Sequence, residues 1–293
     1  FATGKRENLP SGNGRFELVE ADLRDPEACQ KACRGVTYVF HQAALGSVPR
    51  SLADPGSTIS VNVAGTANVL QASRDARVRR VVYASSSSVY GDSERLPKKE
   101  GEEGLPVSPY ALSKVMVEQL ADIFTLAFGL ESIGLRYFNV YGPRQDPEGP
   151  YAAVIPRFFQ ANLAGEAPVI YGDGLQSRDF TYVDDAVRAN LLAAAAPSDA
   201  CGRAYNVGGG RRTTVRELAR SVREAAGGGP EPLTAPPRAG DVLHSLADLT
   251  RVREAIRYEP QWDLSRGLAR SREYYARAAS PGSAGALTER AAR

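Results

Sequence analysis

Tyr110 and Lys114 stand four residues apart in the string S-P-Y-A-L-S-K, and a run of serines, Ser85 to Ser88, precedes them. On a helix that spacing makes neighbours of a phenol and an ammonium. A phenol of unperturbed pKa about 10 is a poor base at neutral pH, and lowering it by three units takes roughly 4 kcal/mol. One cation about 4 Å away, at an effective dielectric of about 20, supplies on the order of 4 kcal/mol. The pair can therefore yield a tyrosinate-like base, with Ser86 adding a hydroxyl that shares the same substrate proton. A Y-x-x-x-K is weak alone, since a surface tyrosine on a helix is the default. Its weight comes from the segments around it.

Those segments read as a frame built to position the three side chains. Ser108 offers an N-cap oxygen, Pro109 suits the first helical position, and Gly129 marks the stop, so a helix is expected from Pro109 to Phe128. The strand Arg80 to Ala84 feeds the serine run. Earlier come the apolar run Phe16 to Val19, a short helix from Asp25-Pro26, the strand Val36 to His41 and a helix through Asn62 and Leu70. Strands alternating with helices predict an α/β fold with a doubly wound, parallel, Rossmann-type sheet. Continuous apolar runs predict strands covered on both faces. Such a fold carries G-x-G-x-x-G after its first strand, and none occurs here. The expectation is a fragment in which the N-terminal strand unit, roughly 30 residues holding the first strand, glycine-rich turn, first helix and second strand, is missing. A polypeptide starting at Phe1 is then expected to hold a dinucleotide poorly.

Ser132 to Asn139 reads as a further strand. Tyr151 to Ala164 reads as a helix, Asp179 to Ala196 as a strand and an Ala-rich helix, Tyr205 to Val207 as a strand, and Val215 to Ala226 as a helix. The expected domains are 1–141 with 177–200 for the sheet, and 142–176 with 201–279 for a smaller C-terminal α/β substrate lobe. Residues 280–293 read as a small, polar, disordered tail.

The 293 residues carry a net charge of +2 and 43% hydrophobic residues, which suggests neither a nucleic-acid surface nor a membrane one. No apolar run reaches the 18 residues of a span. Cys29, Cys33 and Cys201 do not make a disulfide framework, and two histidines argue against a metal centre. A reducing, cytoplasmic setting is expected. His41 is read as a local hydrogen-bonding residue at a strand end, and His244 as having no proton-transfer role.

Further strings complete a pattern: H-Q-A-A-L-G-S-V-P-R-S from His41, V-N-V-A-G-T from Val61, L-R-Y-F-N-V-Y-G-P, S-R-D-F-T-Y-V-D-D and R-A-G-D-V-L-H-S-L-A-D. From Phe1 to about Ala278 the chain resembles the extended short-chain dehydrogenase/reductase family, in its nucleotide-sugar 4-epimerase branch, and within that the UDP-N-acetylglucosamine 4-epimerases. The resemblance implies a tightly held NAD used and regenerated in each turnover. It gives Tyr110 the proton of the sugar 4-hydroxyl, Ser86 a bridging role, and Lys114 the ribose and the tuning of Tyr110. It sets Thr3 and Gly4 near the adenosine ribose and Asp22 and Leu23 at the adenine. Gln42, Ala43 and Leu45 would line the cofactor cleft, with Asn62 and Phe138 completing it.

For a UDP-hexose or UDP-N-acetylhexosamine the matching positions are Asn139, Arg178, Arg238 and Asp241, with Tyr171 beside the uracil. Two arginines suit a diphosphate because a guanidinium fork pairs with phosphate oxygens. Gly46, Ser47, Ser87, Gln145 and Ala153 match positions around the sugar and its 2-substituent. Ser245 falls where a bulky residue would narrow the pocket, so UDP-GlcNAc and UDP-GalNAc are expected over UDP-Glc and UDP-Gal. The resemblance also implies a homodimer in which the helices around Asn62 to Ala72 and Pro109 to Phe128 form a four-helix bundle. A 4,6-dehydratase would need an Asp-Glu pair where Ser87 and its neighbours stand. A uronic-acid 4-epimerase fits the G-S-V-P-R-S string and Gln145 less well, and a catalytically silent NAD-binding module would not need an intact Ser86, Tyr110 and Lys114.

Overall fold

Val81 and Tyr83 face one side of a strand and Val82 the other, and all three are buried, as a strand covered by helices on both faces requires. A computed structural model describes residues 1, 4–10, 16–148, 152–237 and 243–279. The chain runs α1 (Pro26–Cys33), β1 (Tyr38–His41), α2 (Val48–Ala53), α3 (Pro55–Ile59) and α4 (Gly65–Asp75), with a π-helical turn, Ser60–Ala64, joining the last two. Next come β2 (Arg80–Ser86), α5 (Pro109–Phe128), β3 (Glu131–Tyr137) and β4 (Val140–Tyr141). They are followed by α6 (Val154–Leu163), β5 (Val169–Tyr171), β6 (Ser177–Asp179), β7 (Thr181–Tyr182) and α7 (Val183–Ala195). The remainder is β8 (Arg203–Val207), β9 (Arg212–Thr214), α8 (Val215–Ala226), β10 (Leu233–Ala235), α9 (Thr250–Ile256) and α10 (Leu264–Ala279).

The main sheet is parallel throughout, in the order β1-β2-β3-β8. Helix α5 covers one face through Val117, Ala121 and Phe124, and α7 and α9 cover the other through Ala189, Ala193, Val252 and Ile256. Helix α5 begins as its sequence demands: the Ser108 hydroxyl accepts from the Ala111 N–H at 3.1 Å, and the chain leaves the helix through Gly129 in the left-handed conformation. Gly134 in β3 serves a different need. A Cβ there would lie 2.6 Å from the ring of Tyr83, so the tyrosine crosses β3 only because that position has no side chain.

Three expectations change. The strand around Tyr205 belongs to the main sheet, not to the smaller lobe: β8 pairs with β3 from Ile133 with Arg203 to Tyr137 with Val207, and Tyr205 and Val207 complete the core under α9. Its apolar alternation therefore found a partner on the open edge of β3. The run Phe16 to Val19 forms no strand and leaves Phe16, Leu18 and Val19 exposed. Strand β1 is not covered on both faces either. It lies at the edge of the sheet, where Phe40 is 43% exposed.

The smaller lobe packs α6, α8 and α10 around Phe158, Phe159, Leu218, Val222, Leu268 and Tyr275, with Tyr141 and Tyr182 from the β4–β7 pair. Tyr151, at the expected start of α6, lies outside the described residues, as does the tail from Ser280. No helix among the described residues is long and apolar enough to cross a membrane. Cys29 and Cys33 are buried on α1, their thiols pushed above the ordinary value by burial, which makes them inert packing groups.

Candidate active site

Strand β2 ends in Ser86, which caps the short 3-10 turn Ser87–Tyr90, and α5 opens beside it with Tyr110 in its first turn. The two hydroxyls are within hydrogen-bond reach of each other. Lys114, one turn further along α5, is 4% exposed and donates from Nζ to the Ala84 carbonyl at 2.7 Å. The three side chains thus converge beyond the carboxyl end of β2, the edge where open parallel sheets bind their ligands. Gly46 faces them: a Cβ on it would lie 4.0 Å from the Tyr110 hydroxyl.

The electrostatics differ from the sequence expectation. Burial raises the Tyr110 phenol above its ordinary value, and the Ser86 hydrogen bond pulls it only part of the way back. Lys114 spends one N–H on a backbone carbonyl of β2, and burial brings its own pKa down to about 8, with Glu118 opposing the fall. Both groups are desolvated, which the four-residue spacing alone does not show, and that burial is the largest influence on each.

The loop after β1 is held by Asn62 from the π-helical turn. Its Oδ1 accepts from the Leu45 N–H at 2.7 Å, and its Nδ2 donates to the Leu45 carbonyl at 3.2 Å and to Ser113 Oγ of α5 at 3.0 Å. A turn of this kind inserts an extra residue into a helix, commonly at a functional site. Asn62 is 1% exposed and fully engaged, so it ties the loop to α5 and does not itself line the cleft. Phe138 is corrected in the same way: just past β3 its N–H donates to the Val207 carbonyl of β8 at 2.9 Å, and its side chain is 0% exposed in the core beside Tyr90. Gln42 and Ala43 are exposed, and Gln42 bonds Asn190 at 2.9 Å and the Tyr137 hydroxyl at 3.2 Å.

His41, at the end of β1, accepts or donates at Nε2 with the Thr66 hydroxyl at 2.8 Å and faces Lys114. Burial, with the Lys114 charge beside it, lowers its pKa to about 4. Because the folded value lies below the unfolded one, the unfolded chain binds the extra proton first. Stability present above pH 6.5 is lost as pH falls towards 4, by up to about 3 kcal/mol. Denaturant midpoints recorded from pH 7 to 4 should fall steeply for the wild type and less steeply for His41→Gln. Equal slopes would remove His41 from the account.

Of the positions expected at the adenosine end, Gly4 is exposed near Phe1, and Asp22 is an exposed partner of Arg24 at 2.6 Å, which holds its carboxyl at about 2. Leu23 packs on Gly65 of α4 and accepts at its carbonyl from Asn68 at 2.9 Å. Thr3, Arg238 and Asp241 lie outside the described residues. On the sugar-nucleotide side, Asn139 is exposed, and Ser47 caps α2 by accepting from the Arg50 N–H at 3.2 Å. Ser87 lies in the 3-10 turn after β2, and exposed Ala153 immediately precedes α6. Gln145 donates to the Val140 carbonyl at 3.2 Å while its Oε1 is buried with no hydrogen-bond partner among the described residues. Arg178 spans the carbonyls of Ser177 and Leu243 at 3.0 and 3.3 Å. A cavity of about 900 Å³ lies alongside, lined by Tyr171, Gln176, Pro237, Leu243 and His244 among others. Ser245 is buried next to it, its N–H donating to the Ser177 carbonyl at 3.0 Å, and His244 Nδ1 is bound to Ser177 Oγ at 2.9 Å. Sequence reasoning missed Glu118 and Arg136, the buried pair behind Lys114. Glu118 continues the four-residue spacing of Tyr110 and Lys114, and that was the available signal.

With this geometry in place, the profile of the NAD dependent epimerase/dehydratase family matches residues 2–208. The chain belongs to that family. A UDP-glucose 4-epimerase of Mycolicibacterium smegmatis is 40% identical over 279 residues, 94% of this chain and 88% of the relative. Among solved structures, the UDP-N-acetylglucosamine 4-epimerase of Methanobrevibacter ruminantium in complex with UDP-N-acetylmuramic acid superposes with a TM-score of 0.89 at 38% identity, covering 94% of this chain and 87% of that one. The UDP-glucose 4-epimerase of Thermus thermophilus in complex with NAD gives a TM-score of 0.85 at 37% identity, covering 95% and 89%.

NAD is the family's cofactor, and the residues at the sheet edge fit its nicotinamide-ribose half. The Lys114 ammonium is buried with a single hydrogen-bond partner among the described residues, the Ala84 carbonyl, so two of its three N–H groups remain to be satisfied. The paired hydroxyls of a ribose would satisfy them. A glycine-rich turn for the pyrophosphate is not among the 293 residues.

Proposed function

We propose that this epimerase/dehydratase family member is a UDP-sugar 4-epimerase acting on UDP-GlcNAc and UDP-GalNAc, with UDP-Glc and UDP-Gal as secondary substrates. The observation that carries the reading is the convergence of Ser86, Tyr110 and Lys114 at the end of β2, facing Gly46. Bound NAD would accept the hydride from the sugar C4 and return it to the opposite face. The chain's part is to move a proton and to hold the sugar. Tyr110 Oη takes the 4-hydroxyl proton through or beside Ser86 Oγ and later gives it back. The Lys114 ammonium offsets the charge that this leaves on a buried phenol oxygen. Ser87 and Ser88 occupy the turn after β2, so no carboxylate stands there to carry the water elimination of a dehydratase.

The size of the cavity at Tyr171 supports a nucleoside diphosphate on that side of the site. Incubation of the protein and NAD with UDP-GlcNAc, followed by chromatography, should give UDP-GalNAc. Retention of the UDP-sugar with no product would favour a binding module. Enlarging Ser245 to Tyr should lower turnover of acetamido sugars about tenfold or more relative to plain hexoses, with thermal melts to check the fold. Equal loss for both sugars would leave the hexose preference unsupported. The exposed stripe Leu112, Met116, Ile123 and Leu126 on α5 supports a homodimer through a four-helix contact, which light scattering would test.

A further inference from the structure

Behind Lys114, on the side away from Tyr110, Glu118 is buried and doubly held. Arg136 of β3 donates to its two carboxylate oxygens at 2.9 and 2.7 Å, and Ser85 of β2 donates to Oε1 as well. Arg136 also reaches Glu103, and it donates to the Tyr90 hydroxyl at 3.2 Å, which in turn donates to Asn206 of β8 at 2.7 Å. One guanidinium therefore faces two carboxylates, and a negative charge is left over. Lys114, one helical turn from Glu118, balances it.

We propose that Glu118, fixed by Arg136 and Ser85, is a positioning residue for the epimerisation, its carboxylate sustaining the ammonium form of Lys114 beside Tyr110. The inference rests on the reading of Tyr110 and Lys114 as the proton-handling pair. A second effect shows the reach of the Glu118 charge. Asp122, one turn further on, has a carboxyl oxygen with no hydrogen-bond partner among the described residues, and burial together with Glu118 raises its pKa to about 6. The groups facing Lys114 are His41 from β1, neutral near pH 7, the Ala84 carbonyl from β2, and Tyr110 and Glu118 from its own helix. None of the others supplies a negative charge at neutral pH. A purely structural pair would clamp α5 onto β3 and leave the titration of Lys114 where it is.

The test is NMR titration of labelled lysine, practicable because the chain has five lysines, with the Lys114 resonance assigned from Lys114→Met. In Glu118→Gln, which keeps the shape, the Lys114 midpoint should fall by about one to two pH units from its wild-type value near 8. The alkaline limb of kcat should move with it, so that kcat at pH 8 drops about tenfold while KM holds and the loss at pH 6 is small. Should Glu118→Gln fail to fold with Arg136 left buried, Glu118→Gln/Arg136→Met removes both charges and should still lower the midpoint, by less, because the nearby guanidinium is lost as well. Glu118→Asp, which keeps the charge, should restore much of the midpoint. A folded variant with an unmoved midpoint, or with kcat lowered equally at every pH, overturns the proposal. Full activity in Tyr110→Phe would instead overturn the reading of the catalytic pair, and the lysine titration would still decide the Glu118 link.

Discussion

Lys114→Met is expected to lower kcat by about 10²- to 10³-fold and, at pH 7, to raise the melting temperature of the nucleotide-free protein. Both effects come from one buried charge. Burial brings the Lys114 pKa from 10.5 down to about 8, so the folded protein holds that proton less willingly than the unfolded chain. The native state binds fewer protons between pH 8 and 10.5, and wild-type stability should climb across that window. Below it the charged lysine costs up to about 3 kcal/mol, from which about 1 kcal/mol returns through the hydrogen bond to Ala84. The methionine variant should thus gain about 2 kcal/mol at pH 7, worth several degrees, and should lack the alkaline climb. Scanning fluorimetry at pH 7 and pH 10 beside a turnover assay gives both readings. A variant less stable than wild type at pH 7 would mean that the attraction of Glu118 outweighs desolvation.

Arg80→Met is expected to be the most destabilising single change outside the catalytic residues, by about 3–5 kcal/mol, and to leave kcat of the folded fraction unchanged. Arg80 is 0% exposed at the start of β2. Its Nη1 donates to the carbonyls of Ala193, Ala194 and Ala196 at 2.8, 3.1 and 2.7 Å, closing the C-terminal end of α7, and Nε and Nη2 hold Glu131 of β3 at 3.0 and 2.6 Å. The positive charge also suits the negative end of the helix dipole. Methionine fills the volume and satisfies none of these acceptors. Glu131→Gln should cost much less, because that carboxylate is partly exposed and also accepts from Ser198. Chemical denaturation of the two variants, compared with wild type, separates a latch from an ordinary surface pair.

Much of this was written in local chemistry. Ser108, Pro109 and Gly129 announced α5 because caps and stops act over a few residues, and the spacing of Tyr110 and Lys114 then placed both side chains. What escaped the sequence depends on contacts between distant segments. The apolar alternation of Tyr205 and Val207 reads the same in either layer, and only the open edge of β3 decides where it pairs. Phe138 looks like a cleft residue until its N–H pairs with Val207 just past β3 and its ring packs beside Tyr90 in the core. The raised phenol of Tyr110 follows from burial by loops whose positions no spacing rule supplies. Glu118 could have been found by continuing the helical stripe one turn, but its partner Arg136 arrives from another strand.

Because β8 completes the sheet only after the smaller lobe's first helix and strands have been made, the order of synthesis differs from the order of the layers. As the chain leaves the ribosome, β3 waits with one bare edge while residues of the other lobe emerge, and its partner comes late. A shortened product ending at the 200 boundary read from the sequence would keep Ser86, Tyr110 and Lys114 yet expose that edge and strand the Tyr90 hydroxyl without Asn206. Such a piece would be prone to self-association, and the two lobes are in this sense one unit of inheritance that cannot be recombined by a single cut.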